Sequence, residues 1–453
     1  LKRLLLCAAL SLACGSNFTS VATGEFVSPT GLAATSAGDR DLLFVANSGR
    51  DNLRALQICT APLLADGGVD PADTCPLKED QQFLPGPIRV FPATIETGDR
   101  PTRLAGARLL RPDQGKSGVV LVAGVDDTLR LVDARNLVEA TTSRAAVDPV
   151  VSLQLDAPAV DVATANPLDP ATDLEINAAL VKAFVATKAA GASPAQLLVL
   201  DVALDANGKA QKPAVRQRCA LPGVTPARIA VVPGSPDLVY VADGAGEGGV
   251  VSVVTAGIPA ASDASPAACA FTRIRADDLP AASHSPGRAV RSMAVSPAWY
   301  ETGVDHLAGE FLLVVLEPGS AAVPGSNLDA GGVLLIRAAT GKIFRVPGHP
   351  SDDATSGVPA MEPLAPPGLA REGTFLRALR AGGACTALPC TPVYTGLPST
   401  APTQMFSLVA AVTSTDGVTY FIDVLQRRFI NLSLYGTGGT VPGGTESAPA
   451  LTP

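Results

Sequence analysis

Apolar positions in this chain fall in short blocks separated by Gly, Asp and Asn, and the blocks come in pairs. The clearest pairs are "DLLFVANSGRDNLRALQI" (41–58), "GVVLVAGVDDTLRLVD" (118–133) and "DLVYVADGAGEGGVVSVV" (237–254). Looser copies occupy 182–201, 310–337 and 417–434. Short apolar runs bounded by turn residues predict strands joined as hairpins. A further strand precedes each pair: "PTGLAAT" at 29, "PTRLAGA" at 101, "PAVDVAT" at 158, "PARIAVV" at 226, "AVRSMAV" at 289 and "QMFSLVAAV" at 404. Between the units lie candidate outer strands, "GPIRVFPA", "KIFRVPG" and "TPVYTGLP". Three inner strands and one outer strand make a four-stranded antiparallel blade. Radial repetition of such blades is how a β-propeller buries its sheet faces.

The predicted fold is therefore all-β, a β-propeller of six four-stranded antiparallel blades, or seven if the last gap conceals another. Successive starts are 72, 57, 68, 63 and 115 residues apart, so the final interval holds either an extra blade or an insertion. Within it, "APPGLAREGTFLRALRAGG" places Leu369, Leu376 and Leu379 at helical spacing among prolines and glycines, the mark of an irregular excursion. The propeller is expected over 24–435, with insertions near 59–86 and 343–390. The last unit shows no outer strand of its own, and "GEFVS" from residue 24 would supply it and close the ring. Residues 436–453 have the Gly, Thr and Pro content of a flexible tail. The Pro-x-x-[Leu/Ile/Val]-Ala starts, with "LFVANSGRDN" and "VYVADGAG", resemble the YVTN family of surface β-propeller repeats. The resemblance implies an architecture and leaves the activity open.

The first residues add a location. Lys2 and Arg3 precede an apolar run from Leu4 to Ala13, too short for the roughly 20 residues of a spanning helix, which reads as a secretory signal over 1–13. Leu10-Ser11-Leu12-Ala13-Cys14 resembles a bacterial lipobox, although Ser11 stands where leucine is usual. The resemblance implies cleavage before Cys14, a lipid on its thiol, a lipidated tether over 14–23, and an address at the outer membrane or cell surface, with the periplasmic side as the alternative. Loss of Lys2 and Arg3 takes the formal net charge from −8 to −10, which argues against binding nucleic acid.

Six cysteines then remain, an even number suited to disulfides outside the cytoplasm. Cys59 with Cys75 would staple a long excursion in the first unit, and Cys385 with Cys390 a small hairpin. Cys219 and Cys269 pair by subtraction, although neighbouring outer strands would hold them far apart. No CxxC spacing supports a metal site.

Candidate chemistry is sparse. His284, His306 and His349 sit in Pro, Gly and Asp-rich loop contexts, no Gly-x-Ser-x-Gly elbow occurs, and "GKSG" at 115 lacks the context of a phosphate loop. Trp299 and Tyr300 are expected to cover an edge. In a propeller, the turns between second and third strands share a face with the connections between blades. Here that face is acidic, with Asp51, Asp126, Asp127, Asp243, Glu247 and Glu317 in the turns and Glu96, Asp99, Asp277 and Asp278 in the connections. Converging carboxylates, Asp51, Asp126, Asp127 and Asp243 above all, would suit Ca²⁺. Aspartate also favours turns for its own sake. No cofactor is certain. Two functions compete: a membrane-anchored scaffold that binds a protein or surface ligand, and a calcium-dependent propeller hydrolase or lactonase.

Overall fold

The computed structural model describes residues 27–37, 40–58, 88–90, 94–135, 146–147, 151–169, 175–233, 237–244, 249–254, 269–275, 290–297, 299–301, 304–306, 308–316, 332–338, 342–343, 370–376, 408–414, 419–424 and 428–429. Its named elements are 28 strands and one three-residue 3-10 turn, Ser48–Arg50. The first sheet takes β1 (Pro29–Ala37), β2 (Arg40–Asn47), β3 (Asn52–Ile58), β4 (Ile88–Val90) and β5 (Thr94–Glu96). The second takes β6 (Arg103–Leu110), β7 (Lys116–Ala123) and β8 (Thr128–Asp133). Next along the chain, β9 (Ala146–Val147) returns to pair with β5, whereas β10 (Val151–Gln154) completes the second sheet on β8.

The third sheet is β11 (Ala159–Ala165), β12 (Leu180–Thr187), β13 (Ala195–Ala203) and β14 (Ala214–Leu221), and the fourth is β15 (Pro226–Val231), β16 (Leu238–Asp243), β17 (Gly249–Val254) and β18 (Ala270–Arg275). In the fifth, β19 (Val290–Val295) is followed by a separate ribbon of β20 (Trp299–Glu301) and β21 (Val304–His306), then β22 (Phe311–Leu316), β23 (Gly332–Arg337) and β24 (Lys342–Ile343). The sixth is β25 (Ala370–Leu376), β26 (Val409–Ser414), β27 (Thr419–Asp423) and β28 (Arg428–Phe429).

Strands such as "VVLVA" in β7 and "LLVLDV" in β13 are apolar at successive positions because both faces are covered. Leu121 and Ala123 of β7 pack with Val185 and Leu198 of the third sheet, whereas Val120 and Val122 pack with Phe44 and Leu53 of the first. The same sharing recurs between the third and fourth sheets, the fourth and fifth, and the fifth and sixth. The innermost strands touch in order, β1 to β6, β6 to β11, β11 to β15, β15 to β19 and β19 to β25. Face-to-face stacking in chain order, with the first strand of each sheet on the inside, is a β-propeller arrangement.

The expectation of six or seven equal four-stranded blades is met only in part. The first sheet has six strands, the outer strands of the fifth and sixth sheets are two residues long, and no seventh sheet occurs among the described residues. Packing as extensive as that between consecutive inner strands does not link β25 to β1 among the described residues. The sixth sheet also starts earlier than its pattern suggested. Ala370–Leu376, inside the segment read as an irregular excursion, is its inner strand, and "QMFSLVAAV" supplies its second. Burial of Phe375 against Leu313 and Ala410 overrides the helical leucine spacing. Its outer strand, β28, comes from the unit itself, where residue 24 had been expected to supply one.

Cys219 of β14 and Cys269, next to β18, form a disulfide with Cα atoms 5.6 Å apart. They lie on neighbouring outer strands, as the pattern placed them, and the separation feared from sequence does not exist. Closing a loop of 50 residues is worth about 4 kcal/mol on the chain-entropy account. Cys14, Cys59, Cys75, Cys385, Cys390, the leader and the tail lie outside the described residues. No helix among the described residues is long and apolar enough to cross a membrane.

Candidate functional site at the axis

An inner strand has one paired edge and one edge turned toward the axis, where its N–H and C=O groups need partners. Side chains of the neighbouring inner strands provide several. Thr35 Oγ1 donates to the Ala107 carbonyl at 3.2 Å and Thr164 Oγ1 to that of Gly106 at 2.8 Å, so β1 and β11 both bond to β6. Asn166, just beyond β11, accepts from the Arg108 amide at 2.9 Å, and Ser292 of β19 accepts from the Gly373 amide of β25 at 3.3 Å. Such handovers require close approach. A Cβ at Gly106 would stand 2.1 Å from the Ala34 carbonyl oxygen, so only glycine fits there.

At the start of these strands the handover becomes charged. β11, β15 and β25 each shift register there, between Ala159 and Asp161, Pro226 and Arg228, and Ala370 and Gly373, and such bulges re-aim side chains. Asp161 accepts from the Ile229 amide of β15 at 2.8 Å and from the Val162 amide at 3.0 Å, and Arg103 Nε of β6 lies 3.8 Å from it. Arg228 Nη2 reaches Glu372 of β25 at 3.2 Å, passing over β19. Arg103 Nη1 donates to the Thr30 carbonyl of β1 at 3.1 Å. Five of the six inner strands, β1, β6, β11, β15 and β25, thus meet in one network.

Its members differ in exposure. The side chains of Asp161, Arg228 and Arg103 are 9%, 19% and 26% exposed, and that of Glu372 is 55% exposed. Burial raises the Asp161 carboxyl above its ordinary value against the pull of the Ile229 amide, Arg228, Arg103 and the Val162 amide. Burial and then Arg228 lower the Arg103 guanidinium, which Asp161 and Glu372 support. An arginine so placed keeps its charge, so the mouth presents two cations and two carboxylic acids held at fixed positions.

The carboxylates singled out from sequence lie elsewhere, and the structure does not bring them together. Asp51 adopts the left-handed conformation that closes the turn into β3, and its carboxylate accepts from the Arg100 amide at 3.0 Å. Asp126 takes two bonds from Arg130, at 2.9 and 2.6 Å. Burial works to raise its carboxyl, but the bonds and charge of Arg130 bring it below the ordinary value. Asp127 gives its main-chain carbonyl to the Leu155 amide at 2.7 Å. Asp243 is buried and accepts from the Thr225 amide at 3.0 Å. These bonds do place the turns and the blade connections on one face, as expected. Among the described residues no three His, Cys, Asp or Glu side chains stand together so as to hold a metal ion.

Glu247, Glu317, Asp277, Asp278, His284 and His349 lie outside the described residues. His306 ends β21 rather than occupying a loop. Trp299 is buried with its ring centroid 6.1 Å from that of Phe311, in core rather than at an edge. "GKSG" runs into β7 as a strand. The axial residues had a signal in the repeat itself: in "PTRLA" and "PARIA" the position before the apolar residue is Arg103 and Arg228, and in "PAVDVA" it is Asp161.

No protein-family model matches the chain, and no curated protein matches it. Among solved structures it is similar to BBS1N, crystallised in complex with ARL6DN and soaked with lead, at 10% identity over 89% of this chain and 81% of that one, with a TM-score of 0.44. It is also similar to Saccharomyces cerevisiae Sqt1, at 8% identity over 89% of this chain and 87% of that one, with a TM-score of 0.38.

Proposed function

We propose that this chain is a six-bladed propeller lipoprotein, held to a membrane through Cys14 and displaying a binding scaffold at the outer membrane or cell surface. The observation that supports a binding role is the axial mouth, where separate sheets deliver Arg103, Asp161, Arg228 and Glu372 to one place. Partly exposed guanidiniums fixed by main-chain bonds recognise a ligand without needing to change it. Six sheets stacked in chain order support the blade number. The lipobox-like run ending at Cys14 supports the anchor, and the Cys219–Cys269 disulfide suits an oxidising compartment.

Fractionation of intact cells tests the reading. The wild-type protein is expected with membranes and a Cys14→Ser variant outside them, since several acyl chains at about 0.8 kcal/mol per buried CH₂ make a lasting hold. Equal release of both proteins contradicts the anchor. Hydrolysis of a lactone or ester panel that stops when calcium is removed would replace the scaffold with the hydrolase.

A further inference from the structure

Arg103 and Arg228 are brought to the same carboxylate: Arg103 Nε lies 3.8 Å from Asp161, whose other oxygen takes the amide of Ile229, the residue after Arg228, at 2.8 Å, and half-buried guanidiniums gathered in this way are best served when anions share the space. Two carboxylic acids do so, on different terms. Asp161 is buried, and both its oxygens already accept main-chain amides. Glu372 is 55% exposed and meets Arg228 through one contact of 3.2 Å. A guanidinium engages a carboxylate best through two parallel bonds, so this pairing is half of what Arg228 can offer. The remaining donors are ordered. Arg228 Nη1 is held by the Ala227 carbonyl at 2.9 Å and Arg103 Nη1 by that of Thr30, whereas Arg103 Nη2 makes no hydrogen bond among the described residues.

We propose that Arg103 and Arg228 form a carboxylate-binding subsite at the axial mouth, with Glu372 as a resident occupant that an incoming carboxylate displaces. The proposal rests on the binding role above and narrows it to the ligand's chemistry. The carboxylate belongs to a small organic acid or to the free C-terminus of a peptide.

Calorimetric titration of the full-length protein tests this with succinate, a short peptide with a free C-terminus, the same peptide amidated, and inorganic phosphate. One carboxylate probe is expected to bind the wild type and to weaken about tenfold or more in Arg228→Lys, which keeps the charge and loses the fork. Tighter binding of succinate assigns the small acid; tighter binding of the free peptide, lost on amidation, assigns the chain terminus. Glu372→Gln is expected to tighten the same probe about threefold by removing the occupant, a size suited to a half-exposed ion pair. Asp51→Asn, a charge change in a turn on the same face, is expected to leave affinity unchanged. Unchanged or weaker binding in Glu372→Gln overturns the resident-occupant role. Equal binding of the amidated peptide, or phosphate bound as tightly as the best carboxylate, overturns the subsite's chemistry. Failure of every probe to bind Glu372→Gln, a surface change, overturns the subsite itself and leaves the anchored scaffold to its separate test by fractionation.

Discussion

The turns and the axis of this propeller both carry charged side chains, yet they are built on different scales. Asp126 meets Arg130 four residues away, Asp243 meets Thr225 at a separation of 18, and Asp51 meets Arg100 at 49, each within one sheet or at the entry to the next. At the axis, Asp161 reaches Ile229 at a separation of 68 and Arg228 reaches Glu372 at 144. Turn carboxylates therefore shape loops locally, whereas axial charges exist as a group only once the sheets have stacked. Substitution should separate the two regions by size of effect.

The largest effect is expected from Asp161→Ala, which removes the acceptor for Ile229 and leaves two guanidiniums without their buried partner. Denaturant unfolding should show a loss of about 3 kcal/mol, the scale for breaking a buried charged contact. Asp161→Asn keeps an oxygen for the amide and should lose less. Its pH dependence has a definite sign. The folded carboxyl lies above its ordinary value of 3.8, so between those two values the native state binds more protons than the unfolded chain. Its contribution to stability therefore falls as pH rises through that window, and stability measured across acid pH should lack this fall in Asp161→Asn.

Next in size is Gly106→Ala, where the added methyl meets the Ala34 carbonyl and β1 must move away from β6. Overpacking of this kind is expected to remove about 1–3 kcal/mol, read from the thermal midpoint and a denaturant curve. A neutral result would place the two inner strands farther apart than the axial network requires.

Turn substitutions should fall below both. Asp126→Asn is expected to lose about 1 kcal/mol or less near neutral pH. Because the folded Asp126 carboxyl lies below its ordinary value of 3.8, its stabilisation is present above 3.8 and lost as pH falls through the lowered value. Acid titration of the Asn variant should lack that loss, opposite in sign to the change at Asp161. Smallest of all, Asp51→Asn should stay within about 0.5 kcal/mol, since asparagine also tolerates the left-handed turn. A turn variant that destabilises as much as Asp161→Ala would erase the distinction between the regions.

Strand order was largely legible because covered faces write themselves as apolar runs such as "VVLVA" and "FLLVVL". Ala370–Leu376 was not. Phe375 is buried in it beside the exposed Glu372 and Thr374, its sequence shows no clear apolar run, and a long stretch of sequence separates it from its partner strand. The axial cluster stayed hidden for a related reason. Each repeat start contributes one variable position, and nothing local reveals that Arg103, Asp161 and Arg228 share a space. The turn aspartates stood out because turn chemistry concentrates them, and Asp51, Asp126 and Asp243 each accept a bond that shapes a turn or its connection.

The central claim is that axial side chains pair the open edges of neighbouring inner strands, and amide hydrogen exchange at Ile229 tests it most directly. Ile229 N–H faces Asp161 across the gap between the third and fourth sheets. Its exchange should be slow in the wild type and should accelerate in Asp161→Ala, with the amides that pair β15 to β16 remaining protected. An Ile229 amide that already exchanges in the wild type as fast as one open to water would contradict the account.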